Sequence, residues 1–128
     1  MSDKVTHGIR VQASAHFVPE RSAPAEGEFF FAYRIRISNV GSETARLVSR
    51  RWIISGPSGE EIDRVEGPGV VGKQPVLGPG ESFEYASFCP LRTPLGSMRG
   101  WYKMVTAGGE SFEAEIAPFS LTVPSAVN

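Results

Sequence analysis

The chain has 128 residues, 41% hydrophobic and 21% charged, with 13 Lys and Arg against 14 Asp and Glu for a net charge of −1. That length fits a single domain over residues 1–128, with an ordered core over about 5–123, and it buries roughly two-thirds of its unfolded surface without staples. The near balance of charge removes the electrostatic case for a nucleic-acid binder, and the longest aromatic-apolar run, Phe29 to Tyr33, is far too short to span a bilayer.

Cys89 is the single cysteine, so no intrachain disulfide forms. With a polar start, MSDKVTHGIR, that lacks an apolar targeting core, this points to a reducing cytoplasm.

Strict alternation dominates the chain, and helical periodicity is nearly absent. Ile9, Val11, Ala13, Ala15 and Phe17 form the inward face of a first strand. Phe29, Phe31, Tyr33, Ile35 and Ile37 do the same for a second, which ends at the turn residues Asn39-Val40-Gly41-Ser42. A third runs from Leu47 to Ile54 with mixed parity: Val48, Trp52 and Ile54 share a face with Arg50. That pattern predicts a bulge, or an outward Arg50 folded over the sheet. A short polar strand, Glu60 to Glu66, leads into the glycine stretch GPGVVGKQP, Gly67 to Pro75. Phe83 and Tyr85 follow, then a strand through Met98, Tyr102 and Met104, and a hairpin at Ala107 to Glu110 onto Phe112, Ala114 and Ile116. At Ala117-Pro118 the inward parity flips, continuing at Phe119, Leu121 and Val123, which predicts a second bulge near a sheet edge. Seven or eight short strands punctuated by glycine and proline predict an all-β fold, a two-sheet antiparallel sandwich.

Gly67, Gly69 and Gly72 match the G-x-G-x-x-G spacing of dinucleotide-binding loops. Such a loop must open a helix, whose N-terminal N–H groups hold the pyrophosphate. Here Pro75 and Gly78-Pro79-Gly80 leave no room for one, and no βαβ unit exists, so no nucleotide cofactor is expected. Two readings remain. Glycines can turn N–H groups into an anion-binding nest, with Lys73, Gln74 and Arg99 or Arg64 completing a site for a phosphate-containing small molecule. Alternatively, the loop is a rigid crossover whose glycines serve positive φ and close backbone approach.

His7 and His16 are too far apart and of the wrong parity for a metal pair, so no metal site is expected. The carboxylates Glu60, Glu61, Asp63 and Glu66 read as a solvated edge strand whose charges discourage edge pairing. No nucleophile–base constellation suggests catalysis. Phe30, Phe88 and Trp101 alternate to the outside of their strands, which marks either a surface for a protein partner or for self-association, or residues that loops cover.

Three segments carry a resemblance: Arg50-Arg51-Trp52-Ile53-Ile54, GPGVVGKQPVLGPGESFEY (Gly67 to Tyr85) and TPLGSMRGWYKM (Thr93 to Met104). With the closing FEAEIAPFSL, Phe112 to Leu121, they resemble the ApaG (CorD) family of small bacterial proteins. The resemblance implies an immunoglobulin- or fibronectin-type-III-like sandwich, a homodimer, and a loose link to cobalt tolerance and magnesium efflux. Related domains occur in an F-box protein and a DNA-polymerase-interacting protein, which implies a non-catalytic protein-interaction role. No catalytic residues follow from the family, and its glycine motif falls on Gly67, Gly69 and Gly72. The chain departs from the family pattern at Phe88, where glycine is usual, and at Gly56, often an acidic position.

Overall fold

A computed structural model describes residues 1–124. Among the described residues, nine strands run β1 Ser2–Thr6, β2 Ile9–Phe17, β3 Phe29–Asn39, β4 Ala45–Ser55, β5 Glu61–Pro68, β6 Val76–Leu77, β7 Ser82–Leu91, β8 Leu95–Thr106 and β9 Ser111–Thr122. Two single 3-10 turns, Pro19–Arg21 and Pro24–Glu26, lie between β2 and β3. Among the described residues, no helix is long and apolar enough to cross a membrane.

The strands form two antiparallel sheets packed as a sandwich, ordered β1-β2-β3-β7 and β5-β4-β8-β9, with β6 pairing the start of β4. The expected sandwich is therefore present, with more strands than alternation marks. β1 escapes a hydrophobicity reading because SDKVT has little to bury, and it is held by main-chain pairing, Ser2 opposite Ala13 through Thr6 opposite Ile9.

The inward rows predicted from parity fill the space between the sheets. Ile9, Val11, Phe31, Ile35 and Ile37 come from one sheet; Leu47, Trp52, Tyr102, Met104, Ile116 and Leu121 come from the other. Both expected bulges are found. In β4 the register against β8 shifts between Leu47 and Ser49, so that Val48 is the extra residue and the inward set changes from odd to even numbers. Between β8 and β9, Met98 faces Phe119 and Gly100 faces Ile116, so Ala117 and Pro118 together oppose Arg99 alone.

Arg50 does not fold over the outside. After the Val48 bulge it shares the inward parity of Trp52 and lies opposite Tyr102 on β8 and Gly67 on β5. The interior near it is polar: the Tyr85 and Tyr102 hydroxyls hydrogen-bond each other. Burial pushes both phenols upward, as it does that of Tyr33.

Candidate functional site

The glycine loop is built from the β4 bulge outward. Val48 turns its carbonyl away from the ladder, where it accepts the Gly69 N–H at 2.8 Å and the Gln74 Nε2 amide at 2.9 Å. Leu47 N–H donates to the Pro75 carbonyl at 3.0 Å, clamping the far end of the loop to the same strand. Arg50 Nη1 donates to the carbonyls of Pro68 and Gly69, both at 3.0 Å. Val70 is fully buried and joins the core. The loop is thus fixed at both ends and in its middle.

Each glycine of the motif has a separate steric reason. Arg50 crosses directly over Gly67, where a Cβ would sit 2.9 Å from Nη1. Gly69 adopts φ +59°, and a Cβ there would drive into the Lys73 carbonyl. Gly72 adopts φ +77° at the tip, with open space around it.

The tip itself is a two-residue reverse turn. Val70 N–H donates to the Lys73 carbonyl at 2.8 Å and Lys73 N–H returns to Val70 at 2.9 Å. Val71 and Gly72 both have positive φ, at +43° and +77°, as a type I′ turn requires. A β-branched residue in that region is strained by on the order of 1 kcal/mol or more. Val71→Asn is therefore expected to raise thermal stability by about 1 kcal/mol, read as a higher urea midpoint with an unchanged m-value; a lower midpoint would contradict the turn assignment.

These contacts bear on the anion nest. The N–H groups of Gly69, Val70 and Lys73 already donate to protein carbonyls, and the Gln74 amide is committed to Val48. Lys73 is exposed at the tip. Arg99 is not gathered to this loop. It lies opposite Ile53, whereas Gly67 lies opposite Arg50 further along β4. Arg64 pairs with Glu61 at 2.8 Å instead. Sequence reasoning grouped Arg99 with the loop and missed Arg50; the parity break in β4 was the available signal.

Arg99 joins a different constellation, on the outer face of the five-stranded sheet. Trp101 is half-buried there, with the Arg51 guanidinium 4.6 Å and the Arg99 guanidinium 5.6 Å from its ring centre. Arg51 also pairs with Glu113 at 2.8 Å. Ile53, on the same face between Arg64 and Arg99, is only 7% exposed. A shallow groove of about 810 Å³ runs beside Trp101, lined by Ser49, Arg51, Glu66, Lys103 and Phe112, and reaches Gly67.

The buried Cys89 thiol is pushed up to about 11, chiefly by burial and then by Asp63. A thiol so far from ionisation is an unreactive core residue.

The ApaG domain model matches residues 19–106, from the first 3-10 turn through the end of β8 and including the whole glycine loop. The chain belongs to the ApaG family. It is 57% identical over all 128 residues to Protein ApaG of Anaeromyxobacter sp. (strain K), covering the full length of both. It is 56% identical over 119 residues to Protein ApaG of Methylobacterium sp. (strain 4-46), covering 93% of this chain and 91% of that one. The crystal structure of an ApaA protein from Bordetella pertussis superposes with a TM-score of 0.87 at 47% identity, covering 91% of this chain and 94% of that one. These likenesses show family and fold.

Proposed function

We propose that this ApaG protein is a non-catalytic binding module whose protein partner docks on the outer face of the five-stranded sheet, around Trp101. The observation that carries the reading is the stack of Arg51, Trp101 and Arg99 beside an open groove. Tryptophan and arginine are the residues most enriched where interfaces concentrate their energy, and a partly covered indole held between guanidiniums is ordered before binding.

The test uses tagged full-length protein to capture partners from extract, followed by titration of each purified candidate. Trp101→Ala is expected to weaken the authentic interaction by about tenfold to a hundredfold. Its melting temperature should stay close to that of the unmodified protein. Unchanged affinity would remove this face, and a failure of the unmodified chain to hold any purified candidate would remove the module reading.

A phosphate or pyrophosphate ligand at the Gly67–Gly72 loop is the competing reading. Its weakness is that the loop spends several of its N–H donors on its own carbonyls.

A further inference from the structure

We propose that the cavity beside the β2–β3 connection binds a small carboxylate with an apolar body, its charge held by Arg21 and Arg92. The site lies on the four-stranded sheet, away from Trp101, and does not depend on the docking reading above.

β2 and β3 are direct neighbours, with Phe17 opposite Phe31. A hairpin between such strands needs only about two to five loop residues. Here the chain uses residues 18–28, and the extra length is tied down. Val18 N–H donates to the Phe30 carbonyl at 2.8 Å. Ser22 Oγ donates to the Val18 carbonyl at 2.8 Å and accepts the Phe30 N–H at 2.9 Å. Ala23 and Glu28 exchange both main-chain hydrogen bonds, at 2.8 and 3.0 Å. The connection is thus a fixed wall, and a ligand meets a site formed in advance.

This wall and the neighbouring ends of β3 and β7 bound a cavity of about 330 Å³, at the small end of the range for small-molecule sites. Phe29, Phe30, Pro90 and Leu91 give it an apolar lining. The exposed Arg21 and Arg92 also line it, together with Glu28. Among the described residues neither arginine has an acidic partner within ion-pair distance, so two guanidiniums outweigh one carboxylate there. The Arg21 guanidinium is placed by aromatic rings instead. It lies 4.5 Å from the Phe30 ring centre and 5.1 Å from that of Phe88, and the two rings are 5.2 Å apart. Stacking engages the face of a guanidinium and leaves its N–H fork for an anion.

The lining selects the ligand class. Inorganic phosphate would leave the apolar walls unfilled, and a neutral hydrocarbon would leave both guanidiniums without a counter-charge. A carboxylate matches the guanidinium fork with two parallel hydrogen bonds, and an aromatic ring or branched chain fills the rest.

Titration of the isotope-labelled full chain with 3-phenylpropionate, followed by amide NMR shifts, is the test. Saturable shifts are expected at Arg21, Gly27, Phe30 and Leu91, with a Kd of about 1 mM or tighter. The neutral 3-phenylpropionamide and inorganic phosphate should each bind at least about tenfold more weakly. Arg21→Gln and Arg92→Gln should each weaken binding by a similar factor at an unchanged melting temperature, because both side chains are exposed. Arg34→Gln, four residues along β3 from Phe30, should leave it unaltered. No saturable shift at millimolar acid, shifts centred elsewhere, equal binding of the amide or of phosphate, or indifference to either cavity-arginine variant would overturn the proposal.

Discussion

Gly69→Ala is expected to destabilise the protein by about 3 kcal/mol, while Gly72→Ala, in the same motif, costs only about 1 kcal/mol. Both residues have positive φ, at +59° and +77°, so both substitutions carry the left-handed penalty. Only at Gly69 does the new methyl meet backbone, the Lys73 carbonyl, which is itself fixed by the Val70 N–H. Relief requires opening the turn, which would release Val70 from the core and break the Gly69 N–H bond to Val48. At Gly72 the methyl enters open space. Chemical denaturation of the two variants checks the difference. A loop whose glycines served mainly to approach a ligand would show two small and similar effects without ligand.

The second large effect is in the core. Trp52→Ala is expected to cost about 3–5 kcal/mol, lowering the melting temperature by on the order of 15 °C. The indole is 2% exposed and packs against three rings: Tyr33 at 5.4 Å, Phe119 at 5.9 Å and Tyr102 at 6.4 Å between centres. Its ring neighbours come from both sheets, so the void left by alanine has aromatic walls on both sides. Trp52 Nε1 is buried without a hydrogen-bond partner. Trp52→Phe removes that orphan donor along with some volume, and so should cost less than half as much as alanine. Thermal unfolding of both variants decides this. An equal loss for phenylalanine and alanine would mean that the indole N–H contributes more than its packing suggests.

Alternation along Ile9–Phe17 and Phe29–Ile37 was legible because each of these strands buries one face only, and the buried rows are those the parity marks. The two bulges were legible as phase breaks at Val48 and at Ala117-Pro118. What they accomplish was not. The Val48 carbonyl serves a loop that begins far downstream, and nothing local to either segment encodes the meeting. For the same reason Arg50 was ambiguous in sequence. A long charged side chain at an inward position becomes sensible only when the opposing residue, on the next strand, is a glycine. β1 was illegible because its contribution is main-chain pairing rather than apolar burial. Arg99 was misgrouped because proximity to the loop depends on register, and register places it with Trp101.

The account rests on the glycine loop being a strand connection locked by its own hydrogen bonds, and calorimetric titration with pyrophosphate tests this most directly. Ligand added to millimolar concentration, where a bound state is worth only about 4 kcal/mol, is expected to give no saturable heat. A saturable isotherm lost in Lys73→Ala, with the fold intact, would contradict it.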